Sequence, residues 1–140
     1  MKIYDAKGAI VGRMAAKVAK DIINGEEVQV INAAEMLYSG KPAYTKELLK
    51  IRRGLTDKKD PQKAMKYPRV PYLLFKKVVS DMLPKKSQRG RDALKRLKAH
   101  NGVPEGIDAS KAEVHNSAVK TGLPKKITLG KLCAEFGYKN

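Results

Sequence analysis

Within the first 31 residues the apolar spacing switches twice between two kinds of period, and this constrains the fold more than any other feature of the chain. Ile3 and Tyr4 open a short extended stretch that runs into Asp5. Gly8 and Gly12 bracket a turn, and from Arg13 to Asn24 the spacing becomes helical. Met14, Ala15, Val18, Ala19, Ile22 and Ile23 cover one side of that helix, while Arg13, Lys17, Lys20, Asp21 and Asn24 cover the other. Gly25 follows as a helix stop. Val28 to Ile31 then alternates and branches as a short buried strand does. Strand, helix and strand within about 30 residues make a βαβ unit, so the fold class is α/β and the sheet is parallel.

The rest of the chain reads as shorter pieces. Met36 to Tyr38 is a further strand ending at Ser39-Gly40. Thr45 to Arg53 is a short helix with Leu48, Leu49 and Ile51 inward and Lys46, Lys50, Arg52 and Arg53 outward, closed by Gly54. Residues 55–71 hold three prolines, four lysines and an arginine without a period, and are expected to be a loop that orders against a partner. Pro71 starts a helix over Tyr72 to Leu83, with Lys76, Lys77, Ser80 and Asp81 on its polar half. Pro84 ends it, Lys85-Lys86 form a corner, and Ser87 caps a second helix. Ala93, Leu94 and Leu97 define the narrow apolar stripe of that helix, Arg89, Arg91, Lys95, Arg96 and Lys98 take the remainder, and Asn101-Gly102 closes it. These two helices form a basic helical hairpin. Ala112 to Asn116 is a last strand, and Ile127 to Phe136 a short helix capped by Thr128 and stopped by Gly137. No internal repeat or low-complexity segment divides the chain, so residues 1–140 are expected to form one domain.

Charge is distributed as unevenly as the apolar period. Residues 1–40 hold five Lys/Arg against five Asp/Glu, residues 41–100 nineteen against five, and residues 101–140 six against four, so the net +16 divides as 0, +14 and +2. A cationic surplus confined to one block reads as a surface built to meet a polyanion, because like charges held together oppose compaction until a partner neutralises them. Aromatic content is 6%, without Trp, which argues against a stacking platform for single strands and for contact through phosphates and shape. Arg52, Arg53, Arg69, Arg89, Arg91 and Arg96 suit this use, since a planar guanidinium engages two phosphate oxygens at once. No zinc-finger or helix-turn-helix spacing marks a sequence-reading DNA factor. A DNA-compacting architectural protein is disfavoured by the want of an evident wedge or arm.

Catalytic chemistry finds little support. The Gly8 to Gly12 turn precedes a helix, where glycines can cradle phosphate, but it matches neither G-x-G-x-x-G nor the P-loop. His100 and His115 lie in no metal-ligand or nucleophile-base spacing, and His100 is placed at a helix C-terminus. Asp5 suits capping of the loop that follows it. Cys133, the single cysteine, is expected to be a small buried hydrophobe, and with no disulfide possible a reducing cytosolic compartment is its natural setting. No apolar run approaches the roughly 20 residues that span a bilayer, and Asp5, Lys7 and Arg13 interrupt what would otherwise be a secretory core. A soluble, unprocessed protein without cofactor, metal or small-molecule substrate is therefore expected.

Four stretches resemble the L-thirteen family of large ribosomal subunit proteins in its archaeal and eukaryotic form: VGRMAAKVAK at 11–20, VQVINAAEMLYSGK at 28–41, MLPKKSQRGRDALKRLK at 82–98 and G-V-P at 102–104. The third is the most specific, a proline-broken corner followed by a basic helix. The resemblance implies a three-layer α/β/α fold around a four-stranded parallel sheet, no enzymatic activity, and binding to large-subunit rRNA during early assembly beside neighbouring ribosomal proteins in the cytoplasmic ribosome. By position in the matching basic stretches it implies RNA contacts at Lys41, Lys85, Lys86, Arg89, Arg91, Lys95, Arg96 and Lys98. Charge and loop context alone add Arg52, Arg53, Lys58, Lys59, Lys66 and Arg69, and helix exposure adds Lys76 and Lys77. A TLGKLCAEFGY-type tail, in place of the histidine-rich end associated with bacterial relatives, favours the archaeal branch.

Overall fold

The two apolar periods of the first 31 residues become the centre of a parallel sheet. The structure is a computed structural model and describes residues 1–64, 66–120 and 122–139. β1 (Lys2–Asp5) turns at Gly8 into α1 (Val11–Ile23), which returns as β2 (Val28–Ile31). A 3-10 turn at Ala33–Glu35 leads to β3 (Leu37–Ser39) and α2 (Pro42–Gly54). Beyond an irregular stretch come α3 (Pro71–Asp81), α4 (Gln88–Lys95), β4 (Leu97–Ala99), a 3-10 turn at Ala109–Lys111, β5 (Glu113–Val114), β6 (Lys126–Thr128) and α5 (Leu129–Glu135). The main sheet has four parallel strands in the order β4-β2-β1-β5, with Lys2 opposite Val28, Val28 opposite Leu97, and Tyr4 opposite Glu113.

Strand order dictates the layers. The steps from β1 to β2 and from β2 to β4 run in one direction, so right-handed crossovers place α1 and the α2–α4 segment on the same face. α3 and α4 both pack on α1 accordingly. The step back from β4 to β5 runs the other way and carries residues 100–112 over the opposite face, a thin third layer whose regular piece is one 3-10 turn. Tyr4, Val28, Val30 and Leu97 are buried on the α1 side, and Ile31, of opposite parity, is fully buried on the other. Met14, Val18 and Ile22 of α1 have no exposed surface, and burying side chains of this size stabilises by about 1.5–3 kcal/mol each.

Asp21 departs from its expected place on the polar side of α1: it is buried, and three partners compensate it. The Tyr4 hydroxyl donates to Oδ2 at 2.8 Å, while the ammonium groups of Lys17 and Lys2 lie 3.2 and 3.6 Å from Oδ1. Burial opposes the charged carboxylate, but the Tyr4 and Lys17 hydrogen bonds and the two lysine charges outweigh it and hold Asp21 below its ordinary pKa. Burial, reinforced by the bond to Asp21, pushes the Tyr4 phenol well above its usual value. A buried, charge-assisted bond thus fixes α1 over β1.

Other boundaries also differ from the sequence reading. α2 begins at Pro42 instead of Thr45, proline supplying the first helical position. The second arm of the hairpin stops at Lys95, and Leu97–Ala99 leave it to form an edge strand. Val28 N–H donates to the Arg96 carbonyl at 3.1 Å and His100 N–H to that of Val30 at 2.9 Å, so His100 extends the ladder and does not end a helix. Ile127 belongs to β6, antiparallel to β3 and opposite Tyr38, and the last helix starts at Leu129 with Thr128 Oγ1 accepting from Lys131 N–H. The last main-sheet strand is confined to Glu113–Val114 within the expected Ala112–Asn116. Residues 55–70 form turns and irregular backbone, residue 65 lying outside the described residues.

Candidate nucleic-acid interface

The turn between α3 and α4 concentrates the charge and is held by short-range chemistry. Pro84 blocks continuation of α3. Ser87 caps α4, its Oγ accepting from Gly90 N–H at 3.3 Å, and both Ser87 N–H and Oγ–H donate to the Pro84 carbonyl. Gly90 is buried against that carbonyl so closely that an added Cβ would lie 2.2 Å from its oxygen. Lys85, Lys86, Arg89 and Arg91 are displayed around this corner, all exposed.

Several of the expected cations are engaged within the molecule. Lys77 and Lys85 share one Asp81 oxygen, at 2.8 and 2.6 Å. Burial works against the Asp81 charge, but these two lysines prevail and lower its pKa. Lys95 pairs with Asp92 at 3.2 Å, and Asp92, held by Gln88 Nε2 and then by Lys95, is likewise lowered. Arg91 Nε and Nη2 both donate to Gln88 Oε1, at 3.2 and 2.9 Å, which presets the guanidinium plane. Arg53 lies over the Phe136 ring, 5.2 Å from its centroid, and Lys77 over Tyr67 at 5.6 Å. Arg96 is turned inward: its Nη1 donates to the Ile22 carbonyl at 3.1 Å, joining the Gly25 N–H at the C-terminal end of α1. It is a structural cap more than an outward cation. Lys98 projects from β4 and not from a helix, while Lys76 and Lys77 are half-buried.

The remaining expected residues, Lys41, Arg52, Lys58, Lys59, Lys66, Arg69, Lys76, Lys86, Arg89 and Lys98, make no side-chain hydrogen bond or ion pair among the described residues. Folding also gathers cations that are distant in sequence. Lys50, Arg53, Gly54, Arg69, Glu135 and Phe136 line one cavity of about 350 Å³; Arg53 also borders a second, of about 290 Å³, with Lys66 and Tyr67. Lys50 was readable as outward-facing on its helix, whereas nothing local announces that Phe136 stands beside it. Pairing of β3 with β6 sets Lys126 opposite Ser39, and Gly40 N–H donates to the Lys125 carbonyl at 3.0 Å, so Lys125 and Lys126 join Lys41. Their share of the surface depends on long-range pairing and is invisible in the linear charge count.

Three N–H groups of the rival nucleotide cradle are taken up by the protein's own bonds. The N–H groups of Gly8, Ala9 and Ile10 donate to the carbonyls of Glu35, Ala6 and Ala118, leaving none of the three directed at a ligand. Gly8 has φ +69° and needs to be glycine for the turn, whereas Gly12 lies inside α1. Asp5 Oδ1 accepts from Lys7 N–H and Asn32 Nδ2, the expected capping use. Cys133 is buried, and burial pushes its thiol up to about 11. Among the described residues no group of three or more His, Cys, Asp or Glu is placed to hold a metal ion, and no helix is long and apolar enough to cross a membrane.

A parallel α/β sheet whose helical layer displays exposed cations around a proline-and-glycine corner defines a basic α/β protein. The model for ribosomal protein L13 matches residues 1–106, and the chain belongs to that family. A large ribosomal subunit protein uL13 from Methanopyrus kandleri is 41% identical over 143 residues, covering 98% of this chain and 87% of the relative. The uL13 of Thermoplasma acidophilum is 35% identical, with 98% of each chain covered, and that of Methanocaldococcus jannaschii 32%, with 99% of each. These relatives are archaeal, in keeping with the reading of the tail. The family is a structural component of the ribosome and not an enzyme.

Proposed function

We propose that this chain acts as one domain and a structural constituent of the large ribosomal subunit in the cytoplasm, holding folded large-subunit rRNA through phosphates and 2′-hydroxyls and supporting early assembly beside neighbouring ribosomal proteins. The observation that carries the reading is the set of exposed cations whose side chains have no hydrogen-bond or ion-pair partner among the described residues: Lys41, Arg52, Lys58, Lys59, Lys66, Arg69, Lys86, Arg89 and Lys98. A cation already matched by a carboxylate has little left to offer a phosphate, whereas an unpaired one releases counterions on contact. Arg91 is held in a fixed orientation by a neutral glutamine and not by a carboxylate. The Arg53–Phe136 and Lys66–Tyr67 cavities extend the same surface toward α5.

The test is filter binding to large-subunit rRNA fragments across a salt series, with transfer RNA and duplex DNA as competitors. Lys86→Gln with Arg89→Gln removes two unpaired charges and leaves the circular dichroism spectrum unchanged. For every phosphate that the variant no longer neutralises, the slope of log K against log salt becomes shallower by about 0.7–0.9. Retention on one fragment through excess competitor, with a shallower slope for the double variant, supports the reading. Affinity and slope unchanged in the variant, or equal displacement by every polyanion, refutes it.

A further inference from the structure

The first 40 residues carry no net charge, yet folding separates their charges. Four of the five acids are drawn off: Asp21 is buried against Tyr4, Glu26 meets Lys2 at 2.6 Å, Glu35 meets Lys7 at 3.7 Å, and Asp5 holds Asn32, while Glu27 stays exposed. Arg13, Lys17 and Lys20, spaced i, i+4 and i+7, are left in a line along the outer face of α1.

That line borders a groove of about 550 Å³, whose lining is completed by Ala16, His115 and Ser117 and contains no carboxylate. Arg13 Nη1 donates to the Ser117 carbonyl at 3.0 Å, and Ser117 Oγ lies 2.6 Å from His115 Nε2, so the guanidinium is fixed at the wall. Lys20 is exposed and its side chain has neither hydrogen bond nor ion pair among the described residues. Lys17 meets only Asp21, a carboxylate already shared with Tyr4 and Lys2. His115 and Ser117 follow β5, one edge of the sheet; α3 and α4 pack beside β4, the other edge. The groove therefore lies on the β5 side of α1 and the α3–α4 corner on its β4 side, toward opposite edges of the same helical layer.

Resting on the rRNA-binding reading above, we propose that the Arg13–Lys17–Lys20 groove receives the phosphate backbone of a second RNA segment, so that the protein bridges two rRNA elements. The ligand chemistry follows from the lining: the outward Lys20 ammonium and the backbone-fixed Arg13 guanidinium stand on either side of Lys17, which is matched to Asp21, over a small Ala16 floor, with the His115 ring as the one flat side chain in the lining.

The experiment uses the full chain with Lys20→Cys or Arg89→Cys bearing an azidophenacyl photo-crosslinker; native Cys133 is buried and does not compete for the reagent. Each is bound to full-length large-subunit rRNA, irradiated, and mapped by primer extension. Crosslinks from position 20 to a segment distant from that reached by position 89 are expected, and Lys20→Gln should lower the salt slope by about 0.7–0.9. Crosslinks from 89 with none from 20, coincidence of the two on one segment, or an unchanged slope in Lys20→Gln overturns the bridge while leaving the rRNA reading standing. Absence of crosslinks from both positions removes the reading and the bridge together.

Discussion

Replacing Gly90 with alanine puts a methyl group where the α3–α4 corner has no room for it. The added carbon would lie 2.2 Å from the Pro84 oxygen, 2.9 Å from its carbonyl carbon and 3.1 Å from its Cγ, against ordinary contact distances of 3.4–4 Å. Backbone must move by more than an ångström, and the backbone concerned is tied by Ser87 to the start of α4. Overpacking of this kind costs about 1–3 kcal/mol, here near the upper end because the obstacle is main chain. Alanine returns about 1 kcal/mol of helix propensity, so the net loss is about 1–2 kcal/mol. Gly12 is the matched control: it lies in α1 with nothing within 4 Å of a built Cβ, so Gly12→Ala should stabilise by about 0.4–1 kcal/mol. At about 4 °C per kcal/mol for a chain of this size, thermal unfolding followed by circular dichroism should show Gly90→Ala melting about 4–8 °C below the parent and Gly12→Ala about 2–4 °C above it. Because the corner also sets the spacing of Lys85, Lys86, Arg89 and Arg91, the first variant should lose rRNA affinity and the second should keep it. A Gly90→Ala protein melting with or above the parent would refute the steric argument.

Two further outcomes follow from buried polar bonds. Asp21 has a lowered pKa, so its stabilising contribution is complete above the ordinary carboxylate value near 4 and is lost as pH falls through its lower folded value. Urea midpoints should therefore fall below about pH 4. Tyr4→Phe, which removes a bond to a charged group worth about 1.5–3 kcal/mol, should lower the neutral-pH midpoint and flatten that acid decline; parallel pH curves for the two proteins would contradict the assignment. Arg96→Ala, which removes the side-chain donor from the Ile22 carbonyl and leaves it the Gly25 N–H, should cost about 1 kcal/mol of stability, whereas Arg89→Ala should change stability by less than about 0.5 kcal/mol. Equal urea midpoints for these two variants would show that the inward bond of Arg96 contributes nothing.

The parts of the fold that were legible in the sequence are those long enough to express a period. α1 has 13 residues and a clean apolar side, and Val28–Ile31 pairs as a buried strand on both faces; their parallel ladder follows from the short crossover. β4 and β6 have three residues each, too few for alternation to register. Leu97 continued the Ala93–Leu94 stripe at helical spacing, and only the meeting of Val28 N–H with the Arg96 carbonyl turns that backbone into a sheet edge. The basic character of residues 41–100 was plain from counting. Which of those cations stay available was not, because it depends on partners brought by folding: Asp81 takes two lysines, the end of α1 takes Arg96, and Phe136 takes Arg53. Asp21 was misplaced for the same reason, since its burial depends on Tyr4 from a neighbouring strand.

The strand order has a consequence for the order of synthesis. β1 is the first strand made but lies inside the sheet, and its second neighbour, β5, begins only at Glu113. At about 5–20 residues per second of translation, one edge of β1 stays open for roughly 5–20 s after the strand has emerged, and an open edge is a template for pairing with another nascent chain. The residues translated in that interval include the whole +14 block. Mutual repulsion between such blocks opposes that pairing until β5 arrives, so the charge proposed to hold RNA in the finished particle also works against edge-to-edge association of the unfinished sheet.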